Sequence, residues 1–144
     1  MATLGQMTGM LGTYLAAAEL TRNGLIVSIT SRNARGADLL VSDQDYEKTW
    51  SIQVKTNRKP VGNWLLSKDY KELSAPTHIY LFVNLRADAR PDFYVVPSKV
   101  VRALGTTTPV RSGGSIWHSF SRRDADRYKD NWRIFGSRTS KEVA

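Results

Sequence analysis

An apolar strand with an acid set into it, followed by a strand carrying Gln-Val-Lys, constrains this chain more than any other feature. The first is Gly36-Ala37-Asp38-Leu39-Leu40-Val41 and the second Ile52-Gln53-Val54-Lys55-Thr56, with a short charged loop between them. Strand side chains alternate faces, so Gln53 and Lys55 point one way while Ile52 and Val54 point the other. Paired as a hairpin, the strands would set Asp38 beside Gln53 and Lys55. An acid, an amide oxygen and an ammonium then converge on one spot of a protein whose formal net charge is +8.

The Asp38…Gln53-Val54-Lys55 arrangement resembles the signature of the PD-(D/E)XK nuclease superfamily, an acid and then, after a variable gap, (D/E)-x-K. Glutamine at the first position of the triplet departs from the majority pattern and is the form seen in the Mrr-like branch. Small Holliday-junction resolvases share the general layout. The proline of the motif name is missing, since Gly36-Ala37 precedes Asp38. The resemblance spans roughly the first two-fifths of the chain. It implies an α/β, restriction-endonuclease-like core with a mixed central sheet of about five strands flanked by helices.

A length of 144 residues suits a single domain over 1–144, and 41% hydrophobic content is enough to build its core. The positive charge favours polyanionic partners, nucleic acid before acidic membrane. Without cysteine there are no disulfides, thiolate chemistry or cysteine zinc sites. No secretory pattern or membrane-length apolar run is read, so a cytoplasmic location is expected.

Along the chain, Thr3-x-x-Gln6 predicts a capped helix ending at Asn23-Gly24. Leu4, Met7, Leu11, Tyr14, Leu15 and Ala18 predict its buried stripe, with Gly12 and Ala16 as a smooth side for close approach. Strands are expected at Leu25–Ile29, Gly36–Val41, Thr49–Thr56, His78–Leu85 and Asp92–Val96. Helices are expected at Ser67–Leu73, from Pro97-Ser98 through Leu104, and as a charged C-terminal tail from about 121 to Trp132. Gly105 to Gly114 reads as an exposed loop, and the last few residues read as disordered.

Phosphodiester hydrolysis requires charge neutralisation and an in-line water, which a hard ion such as Mg²⁺ (or Mn²⁺) provides through oxygen ligands. By the resemblance, Asp38 is the anionic metal ligand and Gln53 a neutral one. Lys55 stabilises charge or orients the water, and Glu19, at the margin of the first helix, resembles the helix-borne second acid. Catalytic residues are thus expected at Asp38, Gln53, Lys55 and Glu19, with Asp38, Gln53 and Glu19 on the metal. Glu19 is also placed for a local ion pair with Arg22.

Arg32 and Arg35 before the acid strand, and Arg58 and Lys59 after the Gln-Val-Lys strand, flank the site and are expected to hold DNA phosphates. Arg122, Arg123, Arg127 and Lys129 are interleaved with Asp124, Asp126 and Asp130, a pattern of a salt-bridged surface. Asp43, Asp45 and Glu47 lack the glycine and terminal glutamate of a calcium loop and read as a hairpin tip. No phosphate-binding glycine loop is present. Trp64, Trp117 and Trp132 are candidates for base stacking, weighed against the core roles aromatics usually have.

The expected function is a Mg²⁺-dependent endonuclease on duplex or branched DNA, reading backbone or structure, with a homodimer as a further expectation. The alternative is a catalytically inactive nuclease-fold module that binds DNA or protein, which the glutamine keeps open.

Overall fold

Thr3 opens the first helix. Its hydroxyl accepts the Gln6 amide at 3.1 Å, and the Gln6 side chain accepts the Thr3 amide at 2.8 Å. This capping box satisfies donors that a helix start otherwise leaves orphaned. In the computed structural model, which describes residues 1–31, 35–109 and 114–136, this helix (α1) spans Leu4–Arg22.

Its buried face is Gly12, Ala16 and Leu20. Leu4, Met7, Leu11 and Tyr14 are exposed, as is Ala18, and Leu15 is only partly buried. The expected buried stripe is therefore largely the outer face. The reason is steric: no charged side chain precedes Glu19, so hydropathy offers more than one apolar face, and the smaller residues allow closer docking. A Cβ at Gly12 would overlap the Thr56 side chain, so the helix backbone rests directly on the strand beneath it.

The strands are β1 (Ile26–Ile29), β2 (Leu39–Ser42), β3 (Thr49–Asn57), β4 (Asn63–Leu66), β5 (His78–Asn84), β6 (Asp92–Pro97), β7 (Thr106–Pro109) and β8 (Ile116–Ser121). Five form a mixed sheet in the order β1-β2-β3-β5-β6. Its neighbours are antiparallel except β3 and β5, which run parallel. The fold class is the α/β, mixed five-stranded architecture read from sequence.

A parallel pair needs a crossover, usually helical. Here the crossover carries β4 and a series of turns, not the helix expected over Ser67–Leu73. The Ser67 hydroxyl, read as that helix's cap, instead accepts the Lys55 ammonium at 3.3 Å. Tyr70 and Glu72 close tight turns onto the carbonyls of Ser67 and Asp69.

The second sheet, β4-β8-β7, was not anticipated. β7 reads Thr-Thr-Thr-Pro and is exposed throughout, so it offers no alternation to detect. The structure replaces the first part of the expected 105–114 loop with this strand.

The five-stranded sheet is covered on both faces. On one, Leu39, Val41, Ile52, Val54, Leu81 and Val95 pack under Ala16 and Leu20. On the other, Tyr80, Phe82, Tyr94 and Val96 pack against Trp64, Leu66 and Phe120 of the second sheet. Burial on both faces explains why β5 is an unbroken apolar run. Trp64 is core, and its indole N–H donates to the Val83 carbonyl at 2.9 Å.

Helix α2 spans Ser98–Leu104. The tail helix expected over 121–132 is one α-helical turn, α3 (Arg122–Ala125), followed by 3₁₀ turns at Asp126–Tyr128 and Trp132–Phe135. Phe135 sits edge-on to Trp50 at 5.2 Å, so the tail closes the first core. The final residues, read as disordered, lie outside the described ones.

Candidate active site

The β2–β3 hairpin fixes the site through its register. Leu39 pairs with Ile52, and the Asp38 amide donates to the Ile52 carbonyl at 2.8 Å. Asp38 thereby lies one step before β2 with its side chain on the Gln53/Lys55 face. Its Oδ2 accepts the Gln53 amide Nε2 at 2.9 Å and the Val54 backbone N–H at 2.8 Å. The turn leading to Asp38 requires Gly36, whose φ is +70° and whose missing Cβ leaves room for Leu73.

Lys55 projects from the same face, partly buried, with its ammonium on the Ser67 hydroxyl. Burial pushes its pKa below the ordinary lysine value, while the negative charges of Asp38 and then Asp69 pull it back up. Burial likewise raises the Asp38 carboxyl, opposed by the Val54 hydrogen bond and the Lys55 charge. The neighbouring phenol of Tyr80, which faces Gln53 across the parallel pair, is pushed up to about 12, first by burial and then by Asp69 and Tyr70. Asp38, Gln53 and Lys55 therefore form one electrostatically coupled cluster.

Asp38 and Gln53 offer only oxygen donors, which in kind suits a hard divalent ion that keeps several waters. Among the described residues, no group of three or more His, Cys, Asp and Glu side chains is placed to hold a metal. The donor set fits an open, water-rich Mg²⁺-type site and not a closed cage.

No protein-family model matches the sequence, and no curated protein matches it. Solved structures do. A bacterial homing endonuclease, I-Ssp6803I, aligns with TM-score 0.56 at 17% identity, covering 93% of this chain and 91% of that one. Hjc, a Holliday junction resolvase from Archaeoglobus fulgidus, aligns with TM-score 0.52 at 12% identity, covering 83% and 88%. The chain shares the fold of these two proteins. The expectation drawn from the Asp38…Gln53-Val54-Lys55 pattern is met at the level of fold.

Within this fold Glu19 stands apart. It belongs to α1, which covers the Ile52/Val54 face, opposite the Asp38 cluster. Its carboxylate pairs with Arg90 and, at 3.8 Å, with Arg22. The structure does not bring it to Asp38.

Of the flanking cations, Arg58 and Lys59 are exposed just beyond β3. Arg35 is paired with Asp69 at 2.9 Å and Glu72 at 3.0 Å. Arg32 lies outside the described residues. In the basic tail, Arg122 pairs with Asp126 at 3.5 Å, and Lys129 reaches Asp92 at 3.4 Å.

Sequence reasoning missed Ser67 and Asp69 as neighbours of Lys55, and Tyr80 as the neighbour of Gln53. Ser67 carried a signal, a polar residue after an apolar stretch, but it pointed to a helix cap. Asp69 carried none, because only the crossover path brings it to β3.

Proposed function

We propose that this protein is a metal-dependent endonuclease that hydrolyses phosphodiester bonds in DNA. The observation that carries the reading is the Asp38–Gln53–Lys55 cluster on one face of the β2–β3 hairpin. The nuclease fold and the +8 charge support it.

Asp38 and Gln53 would hold one Mg²⁺ or Mn²⁺, the former as anionic and the latter as neutral ligand. The ion supplies phosphate charge neutralisation and an activated water. Lys55 stabilises the negative charge that grows on the phosphate oxygens, an interaction strengthened by its partial burial. Arg58 and Lys59 hold the DNA backbone by charge. Arg35 joins them only by leaving Asp69 and Glu72, and until then it fixes the turn before Asp38. A metal role for Glu19 would require Arg90 and Arg22 to release it.

One observation favours the alternative, a nuclease-fold protein that binds without cutting. The Gln53 amide satisfies the Asp38 carboxylate without any cation.

A homodimer is proposed through the outer face of α1. Leu4, Met7, Leu11 and Tyr14 are exposed on a helix with no charge before Glu19. Two strongly basic copies repel least through an uncharged face.

The test is cleavage of plasmid, linear, single-stranded and four-way-junction DNA with Mg²⁺, Mn²⁺ or a chelator. Metal-dependent cutting names the substrate class. Salt-sensitive binding without cutting in any metal moves the function to the alternative.

A further inference from the structure

The β4–β8 pairing stops at Leu66↔His118, and β8 continues past it through Trp117 and Ile116. Beyond Leu66 the chain turns away through Ser67 and Lys68. Between the diverging segments lies a groove of about 240 Å³ lined by Leu65, Leu66, Lys68, Ile116, Trp117 and His118. Its walls are apolar yet open to solvent: Leu65, Ile116 and Trp117 are 55%, 59% and 56% exposed. Three large apolar side chains in contact with water along one groove are unlike the scattered single exposures that need no explanation.

Two features specify the occupant. The groove's charged residue is an exposed cation, Lys68. The residue before it, Ser67, holds the Lys55 ammonium, so the groove begins at the edge of the candidate active site. A ligand entering both must be anionic along its length and apolar and planar where it meets Trp117. The threonines opposite on β7, Thr106 and Thr108, extend the same outer face with neutral hydroxyls.

We propose that this groove binds an unpaired nucleobase stacked on Trp117, with an adjoining phosphate on Lys68. The inference rests on the nuclease reading and deepens it. A base buried in a duplex cannot present its ring face to an indole, so the preferred DNA carries single-stranded or extruded nucleotides beside the scissile phosphate. Stacking on an aromatic side chain tolerates any base, which makes this recognition of strand state and not of sequence.

The test is equilibrium binding, in chelator so that nothing is cut, of a fluorescent single-stranded oligonucleotide and of the fully paired duplex containing it. Trp117→Ala is expected to weaken single-strand binding about fivefold or more, the low end for loss of one stacked base. Trp117→Phe should retain most of the affinity, and duplex binding should be unchanged by either. Because Trp117 is exposed, the melting temperature should also stay put. Lys68→Ala should lower the salt dependence of single-strand binding. Unchanged single-strand affinity in Trp117→Ala overturns the proposal, as does an equal loss on both DNAs. So does a wild type that binds neither. Cleavage with unaltered Trp117→Ala binding would sink the groove and spare the nuclease. A stacking signature without cleavage in any metal would do the reverse.

Discussion

The Gln53 amide donates a 2.9 Å hydrogen bond to the Asp38 carboxylate. With an acid at position 53 the same geometry would set two carboxylates in contact, and like charges at that range cannot both ionise without a cation between them. Glutamine makes the pair self-sufficient. Its amide N–H answers the carboxylate that a second acid would repel.

Gln53→Glu should therefore lose stability in chelator and regain it in Mn²⁺, with tighter metal binding than wild type. Each pKa unit of mutual repulsion is worth about 1.4 kcal/mol. Thermal melts with and without metal, beside calorimetric titration, check this. Equal melting temperatures and equal affinities would show that position 53 does not meet the ion.

Asp38 gives a pH dependence with a definite sign. Its carboxyl sits above the ordinary value of 3.8 because burial outweighs the Val54 amide and the Lys55 charge. A carboxyl that holds its proton more tightly when folded loses stability on ionising. That loss is absent below the unfolded value and complete above the folded one. The stability of Asp38→Asn relative to wild type in urea should therefore rise with pH through the carboxylate range and then level off. A difference that does not vary with pH would contradict the burial argument.

The docking of α1 depends on Gly12. Gly12→Ala should cost about 1–3 kcal/mol, the usual range for overpacking, because the new methyl meets Thr56. The Thr56 hydroxyl is buried without a hydrogen-bond partner, so Thr56→Ala removes the obstruction without orphaning another group. The double variant should recover much of the loss in chemical denaturation. Additive losses would mean that the two side chains do not meet.

Leu11→Glu tests the outer face of α1. If two copies join there, the wild type runs as a dimer in light scattering and the variant as a monomer with an unchanged circular dichroism spectrum. Equal masses for the two proteins would remove this face as the dimer contact.

The geometry of the candidate site was legible in large part because strand alternation is a local rule. Asp38, Gln53 and Lys55 share a face once the hairpin forms, and a hairpin is the simplest link between two strands that close. The capping box of α1 and the buried β5 run are equally local. Which face of α1 turns inward was not legible, since the choice lies in the fit of Gly12 to Thr56. The second sheet was missed because its strands are short and β7 is exposed throughout. Glu19 followed helical spacing to a plausible place, but Arg90, far along the chain, claims it.

The most direct test of the proposed nuclease activity is metal-dependent cleavage of the best DNA substrate by wild type, Asp38→Ala and Lys55→Ala, with folding checked by circular dichroism. Each variant should lose at least about a hundredfold, in line with removing one group that stabilises transition-state charge, while DNA binding persists. Cleavage that survives either substitution would place the chemistry elsewhere on the molecule.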